Sequence, residues 1–462
     1  MKQTWDGKHV VIIGAARQGL ASARFLSQHG AKVTLNDRRS AAELQNEMVS
    51  LDEFPINWVT GNHPLNVLNN IDVVCLSGGI PLDLPVIEEA VRREIPLVND
   101  TQLFMEIVPC KTVGITGSAG KTTTTALLGK IVKEYFLEKP GSVWVGGNIG
   151  DPLLNHIEQI QPNDLAILEI SSFQLEQMTL CPDMAIILNI TPNHLDRHKT
   201  MNAYISAKER IIDFQGKDST SILGRDDPIC WNLKDKVKGK LLSFGFSPMH
   251  DIDDGVEMRD DKLFYRIGAD SQEILDMSNV KLRGDHNKLN IMAASLAAME
   301  LGVDTHSLQA VVNEFQGVPH RMELVRKWKN ASWYDDSIAT TPERTLAAIQ
   351  SFDEPLVLLL GGRDKDLPWN NLVDTIQNRV RLVVLFGEAT ELIFKALTKI
   401  PEESRNFAIK KCKSLHEAVL ITSNLVMDGD VVLLSPGGTS FDEFRDFEER
   451  GERFKQWVQE LS

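Results

Sequence analysis

Short apolar runs recur along the chain, each closed by a glycine-rich or hydroxyl-rich turn and followed by a stretch with helical spacing of its apolar residues. This alternation predicts β-α units rather than hairpins, because a strand buried on both faces reads as a continuous apolar run. Strands are expected at 10–13, 32–37 and 73–76, then at 113–116, 165–169 and 184–189, and finally at 356–360, 382–386 and 431–434. Helices are expected from 17 to about 29, from 123 to 132 and from 204 to 212. The pattern falls into three α/β segments, each built around a mostly parallel sheet, at 1–99, 100–317 and 318–462.

Length agrees with that division, since 462 residues exceed what one ordinary hydrophobic core supports. A net charge of −15 argues against nucleic acid or an anionic membrane surface as the main partner. The five cysteines are scattered singly, which fits a reducing cytosol, and no apolar run is long enough to span a bilayer. A cytoplasmic protein is expected.

The candidate chemistry centres on Val113-Gly114-Ile115-Thr116-Gly117-Ser118-Ala119-Gly120-Lys121-Thr122, a strand running into a glycine turn closed by Gly-Lys-Thr. Backbone N–H groups of such a turn and of the helix it opens face phosphate oxygens, a lysine adds mobile positive charge, and a hydroxyl ligates Mg²⁺. Gly117, Ser118, Gly120, Lys121, Thr122 and Thr123 are therefore expected to hold ATP or GTP. The loop is a variant, with Ile115 where the general phosphate-loop pattern has glycine. Glu169, at the end of an apolar strand, is placed to hold Mg²⁺ beside Thr122; an acid merely facing solvent is the bland alternative.

The first segment opens as a Rossmann-like nucleotide-binding βαβ unit, but Ala16 replaces the middle glycine of Gly-x-Gly-x-x-Gly and argues against NAD. Asp37, followed by Arg38, suits a phosphorylated nucleoside or simply a capped turn, and a further glycine turn follows at Gly78-Gly79. Further along the chain, one histidine cluster and one lysine stand out. His194-x-Asp196-x-His198 has a spacing that zinc sites use, yet lacks cysteine or a further histidine nearby, so a histidine orienting substrate is preferred. Lys208 falls inside the apolar stripe of a helix, either as a snorkelling stem or as an amine whose charge burial suppresses for chemistry.

Taken in order, Gly-x-Thr-Gly-Ser-x-Gly-Lys-Thr (114–122), Gly-Asn-Ile-Gly (147–150), Leu-Glu-Ile-Ser-Ser-Phe-Gln-Leu-Glu (168–176) and Asn-Ile-Thr-Pro-Asn-His-Leu-Asp (189–196) resemble the Mur ligases. Ala-Lys (207–208), His-Asn-x-x-Asn (286–290), Pro-His-Arg (319–321), Asp-Ser-x-Ala-Thr (336–340) and the ending at 435–451 extend the resemblance over nearly the whole chain. It implies a Rossmann-like domain for a UDP-linked substrate, a central phosphate-loop ATPase domain and a C-terminal Rossmann-like domain for an amino acid. The implied activity is ATP-driven addition of D-glutamate to UDP-N-acetylmuramoyl-L-alanine through an acyl phosphate, with two Mg²⁺ ions, by a monomer. By the same resemblance Lys121, Glu169, His194 and Lys208 are catalytic, and Thr122, Glu169, His194 and a carbamylated Lys208 hold metal. Asn287, Asn290, Arg321 and Asp336 are implied on the ATP side; Ala16, Arg17, Asp37, Arg38, Gly79, Asn148 and His194 on the UDP-substrate side; and Thr340, Lys365, Ser440, Phe441 and Phe447 in the amino-acid pocket. Two positions depart from the family pattern, Ala119 for asparagine and Ile338 for lysine. A ligase for another amino acid, such as L-glutamate, and a nucleotide sensor that forms no bond are the competing readings.

Overall fold

The structure, a computed structural model, describes residues 5–249, 254–282, 284–364 and 367–461. It forms two compact units, Met1–Phe315 and Gln316–Ser462. The described residues form three sheets, two in the first unit and one in the second.

The first sheet comprises β1 (His9–Ile13), β2 (Lys32–Asp37), β3 (Asn57–Thr60), β4 (Val73–Leu76) and β5 (Leu97–Asn99), in the order β3-β2-β1-β4-β5. Every pairing is parallel. Chain order reverses between β1 and β4, and the loops leaving those two strands flank the crevice where open parallel sheets bind ligands.

The second sheet holds β6 (Lys111–Thr116), β7 (Val143–Gly147), β8 (Leu165–Glu169), β9 (Met184–Ile187), β10 (Thr220–Gly224), β11 (Lys240–Gly245), β12 (Gly255–Arg259), β13 (Lys262–Ile267) and β14 (Asp270–Asp276). Their order is β14-β13-β12-β11-β10-β9-β6-β8-β7. The strands from β6 to β12 pair in parallel, and β12, β13 and β14 add an antiparallel meander at one edge. Along β8 the side chains divide by pleat. Leu165 and Ile167 join the core under helices Lys121–Phe136 and Asp285–Glu300, while Ala166 and Leu168 enter the core on the other face. Two-sided burial explains why this strand reads as an unbroken apolar run.

That second core is continuous with the first sheet: Val10, Ile12 and Leu35 share one cluster with Leu153, Ala166 and Leu168. The first two expected segments therefore fold as one compact unit. Asn99, ending β5, also caps helix Asp100–Ile107 by accepting from the Gln102 N–H at 2.8 Å, so the passage between the sheets is a rigid corner.

The second unit is a six-stranded sheet of β15 (Glu323–Trp328), β16 (Ala331–Asp335), β17 (Leu356–Gly361), β18 (Val380–Phe386), β19 (Ala408–Lys411) and β20 (Val431–Gly437), ordered β15-β16-β20-β17-β18-β19. Only β15 runs antiparallel among the described pairings. Among the described residues no helix is long and apolar enough to cross a membrane.

Candidate functional site

β6, an interior strand between β9 and β8, delivers the chain to the glycine turn. Ile115 is fully buried within the strand, which is why the general pattern's glycine is not needed there. The turn is stitched to the segment after β9: the Ser118 N–H donates to the Asn189 carbonyl at 3.0 Å and the Ala119 N–H to Asn189 Oδ1 at 2.9 Å. Ser118 Oγ donates to the Thr191 carbonyl at 2.9 Å and meets the Tyr204 hydroxyl at 2.9 Å. Gly120 caps the following helix at φ +86°, and a Cβ there would lie 2.1 Å from Asn290 Oδ1. Glycine is thus required both by conformation and by the close approach of Asn290. Asn290 is itself buried and donates to Asn287 Oδ1 at 3.2 Å, so both asparagines sit beneath the turn.

Helix Lys121–Phe136 then begins, and the N–H groups of its first turn, Lys121, Thr122 and Thr123 included, have no carbonyl within the helix to bond. They add the positive end of the helix dipole to the charge of Lys121. Lys121 Nζ donates to the Gly117 carbonyl at 2.9 Å.

Lys208 reaches the same carbonyl from the other side. Helix Met201–Asp213, capped by Thr200 Oγ1 accepting from the Ala203 N–H, buries Tyr204, Ala207, Lys208, Ile211 and Ile212 in one stripe. The lysine does not snorkel: it is 1 % exposed, and its Nζ donates to the Gly117 carbonyl at 2.8 Å and lies 4.8 Å from the Tyr204 ring centroid. Burial, reinforced by the charge of Lys121, holds its ammonium pKa well below the usual lysine range.

Glu169 closes β8 beside β6, in register with Ile115. It is 2 % exposed; Oε1 accepts from Asn148 Nδ2 at 3.1 Å, while the buried Oε2 has no hydrogen-bond partner. A buried carboxylate oxygen without a donor fits a hard cation, and Thr122, at the start of the neighbouring helix, offers the second oxygen of the kind Mg²⁺ takes. Among the described residues a separate trio, His320, Glu323 and Asp335, also clusters within metal-binding reach. Its atoms are already committed, His320 Nδ1 to Asp335 at 2.7 Å and Glu323 to Lys455 at 3.3 Å.

His194 starts a short helical turn in the left-handed region, φ +54°, is exposed, and packs edge-on against Phe173 at 5.2 Å. The zinc spacing does not form a ligand set, because both ring nitrogens of His198 are engaged, Nε2 with Ser172 Oγ at 2.9 Å and Nδ1 with Glu176 at 2.9 Å.

At the crevice of the first sheet, Asp37 turns inward. Its carboxylate accepts from the Ala15 N–H at 2.7 Å and the Arg39 N–H at 2.8 Å, and pairs with the Arg39 guanidinium. Burial disfavours its charge, but the bonds from Arg39 and Ala15 outweigh it and hold the carboxyl below its usual range. Asp37 thus shapes the turn, and exposed Arg38 beside it is left at the surface with Ala16 and Arg17. Arg17 donates to the Gly150 carbonyl at 3.2 Å, across to the Asn148 turn. Gly79, at φ +84°, lies exposed after β4.

In the second unit, Arg321 sits between His320 and Met322, both with left-handed backbone (φ +62° and +48°). Asp336, the first residue after β16, is buried and accepts from Ser435 Oγ at 2.8 Å; burial, only partly offset by that bond and by Arg321, pushes its pKa up to about 7. Thr340 is half-buried, its N–H donating to the Ile338 carbonyl at 2.9 Å. Ser440 is buried, Phe441 is exposed, and Phe447 packs edge-on to His320 at 6.3 Å. Lys365 lies outside the described residues.

Arg450 was not singled out by residue type, yet it is fully buried and holds this region together. It donates to Ser337 Oγ at 2.9 Å, the Ser337 carbonyl at 2.8 Å and the Gly438 carbonyl at 3.1 Å, and burial pushes its pKa down to about 10. The signal available was its place in Phe447-Glu448-Glu449-Arg450-Gly451, at the close of the 435–451 stretch.

Comparison with known proteins bears on all three sheets. Residues 8–99 match the model of the Mur ligase MurD-like N-terminal domain, 115–298 the Mur ligase middle domain, and 320–438 the Mur ligase glutamate ligase domain. The chain is 37% identical over 458 residues to the UDP-N-acetylmuramoylalanine--D-glutamate ligase of Koribacter versatilis, covering 99% of this chain and 98% of that one. It is 36% identical over 463 residues to the ligase of the same name from Acetivibrio thermocellus, covering 100% and 98%. Among solved structures, the UDP-N-acetylmuramate-alanine ligase of Thermotoga maritima superposes with a TM-score of 0.58 at 20% identity, covering 98% of this chain and 99% of that one. A MurF structure from Acinetobacter baumannii gives a TM-score of 0.56 at 18% identity, covering 96% and 93%. These two likenesses concern the fold.

Proposed function

The chain belongs to the Mur ligase family, and on that premise we propose that it adds D-glutamate to UDP-N-acetylmuramoyl-L-alanine with the cleavage of ATP to ADP and phosphate. The observation that carries the reading is the convergence of Lys121 and Lys208 on the Gly117 carbonyl, at the head of a phosphate loop and beside a strand that ends in the half-unpartnered Glu169. A carboxylate is a poor electrophile until one of its oxygens becomes a phosphate leaving group. The γ-phosphoryl group passes to the alanine carboxylate, ADP leaves, the amine of D-glutamate attacks the acyl carbon, and phosphate departs as the C–N bond forms.

The chain's own residues supply positioning and charge. The N–H groups from Gly120 to Thr123, with Gly117, Ser118 and Lys121, hold the phosphates and oppose their charge as it moves. Thr122, Glu169, His194 and Lys208 are the residues we assign to Mg²⁺, which when bound neutralises phosphate charge. For Lys208 the assignment needs a carbamate: a neutral amine adds carbon dioxide and loses a proton, turning a cation into an anionic ligand, and the suppressed basicity of Lys208 favours that addition.

We assign Ala16, Arg17, Arg38, Gly79, Asn148 and His194 to the UDP-linked substrate, with Asp37 acting through the turn it holds. Asn287, Asn290, Arg321 and Asp336 are assigned to ATP. Thr340, Lys365, Ser440, Phe441 and Phe447 are assigned to the amino acid. The domain boundaries we favour are 1–99, 100–317 and 318–462, in a monomer acting in the cytoplasm. Labelling the alanine carboxylate with heavy oxygen tests the acyl phosphate: one labelled oxygen should appear in the released phosphate, and unlabelled phosphate would contradict it.

A further inference from the structure

Arg197 follows His194 by three residues and carries no role in the assignments above. Its guanidinium fork spans to the other sheet of the same unit, donating from one nitrogen to the Gly79 carbonyl at 3.1 Å and from the other to the Ile80 carbonyl at 2.7 Å. Two charge-assisted bonds to successive carbonyls suit the planar, preorganised fork of a guanidinium.

Both ends of this bridge are themselves fixed. The Arg197 guanidinium carbon lies 4.0 Å from the Phe173 ring centroid, and Phe173 stacks on His198 at 5.0 Å with the rings 6° from parallel. His198 is pinned by Ser172 and Glu176, and its ring packs 5.1 Å from Tyr204, which bonds the phosphate-loop Ser118. At the far end, the Ile80 side chain closes over Gly14, where a Cβ would lie 2.9 Å from Ile80 Cδ1. The turn held by Arg197 therefore also seats the loop leaving β1, so both loops of the β1/β4 crevice depend on it.

The geometry points to Arg197 as a positioning residue for the UDP-linked substrate: it clasps the Gly79–Ile80 turn to the segment that carries His194, so that the nucleotide-binding edge keeps a set distance from the reacting carboxylate. This rests on the ligase reading above. The long UDP-linked substrate must place its uridine end and its carboxylate end at once, and an error of one ångström at one end is felt at the other.

The test compares Arg197→Ala, Arg197→Lys and Phe173→Leu with the wild-type protein, measuring KM for each of the three substrates and the calorimetric affinity for UDP-N-acetylmuramoyl-L-alanine. Loss of both charge-assisted bonds should raise KM and Kd for that substrate by about tenfold or more, leaving KM for ATP and D-glutamate within about twofold. Lysine, a point charge without the fork, should recover only part of the loss. Phe173→Leu should weaken the wild-type protein but have no further effect in the Arg197→Ala background. An equal rise in all three KM values, a fall in kcat alone, or no change would overturn the clasp. Absence of turnover in the wild-type protein would sink the ligase reading instead, and the calorimetric affinities would then still decide the clasp: about tenfold weaker in Arg197→Ala supports it, unchanged overturns it.

Discussion

Lys121 and Lys208 donate to one acceptor, the Gly117 carbonyl oxygen, at 2.9 and 2.8 Å. Burial and the neighbouring charge of Lys121 together hold the Lys208 ammonium pKa well below the usual lysine range. That is the physical basis for treating Lys208 as an amine ready for carbamylation rather than as a second phosphate-binding cation.

Replacing Lys208 should therefore affect chemistry more than folding. Lys208→Arg keeps a permanent cation that adds no carbon dioxide, and turnover should fall about 10²-fold or more, the scale seen when one preorganised charge-stabilising group is lost. Carbon-labelled bicarbonate should give a carbamate resonance in the wild-type protein that Lys208→Arg lacks. Near-normal turnover in Lys208→Arg would contradict this role.

Glu169→Gln keeps the shape of the side chain and its bond with Asn148 while removing a buried charge whose Oε2 has no partner. The melting temperature should stay level or rise, because a buried carboxylate oxygen without a donor disfavours the folded state. Turnover should fall sharply, and the Mg²⁺ concentration needed for half-maximal activity should increase. A variant that melts lower and keeps the wild-type Mg²⁺ dependence would show a purely structural glutamate.

Gly120→Ala meets two obstacles, a left-handed φ of +86° and Asn290 Oδ1 at 2.1 Å from the new Cβ. The conformational penalty alone is about 1–2 kcal/mol. ATP affinity should drop in Gly120→Ala, and adding Asn290→Ala should recover only the steric part. Full recovery in the double variant, read by calorimetric titration with ATP, would mean the backbone conformation is not required.

Asp336 gives a pH signature. Its pKa is raised from 3.8 to about 7 by burial, so between those values the folded chain keeps a proton that the unfolded chain has released. Folding is thereby favoured below about pH 4, and this contribution is lost as pH rises toward 7 and is absent above it. Asp336→Asn cannot titrate, so the difference in melting temperature between it and the wild-type protein should change across that window and level off above it. A difference that stays constant from pH 4 to 8 would contradict the raised pKa.

Much of this architecture is legible before folding because its central strands are buried on both faces. The runs at 113–116, 165–169 and 431–434 are apolar through their interiors and mark strands, and their carboxyl ends lead to the phosphate loop, Glu169 and Ser435. Helix Asp285–Glu300 is less legible: it is buried almost continuously from Asn290 to Ala298, so it has no amphipathic period to detect. The strands β12 to β14 form an edge meander with many polar positions and give only a weak pattern. The union of the first two segments depends on Leu153 and Leu154 joining the core of the first sheet, which no local spacing announces. Arg197 was visible as a residue but not as a clasp, since its partners are backbone carbonyls and those leave no trace in residue type.

The most direct measurement supplies purified protein with ATP, Mg²⁺ and UDP-N-acetylmuramoyl-L-alanine, adds D-glutamate, L-glutamate or other amino acids in turn, and weighs the product while counting ADP. The account predicts one glutamate added and one ADP formed per bond with D-glutamate alone, Ile338 notwithstanding. Bond formation with a different amino acid, or no product with any, would contradict it.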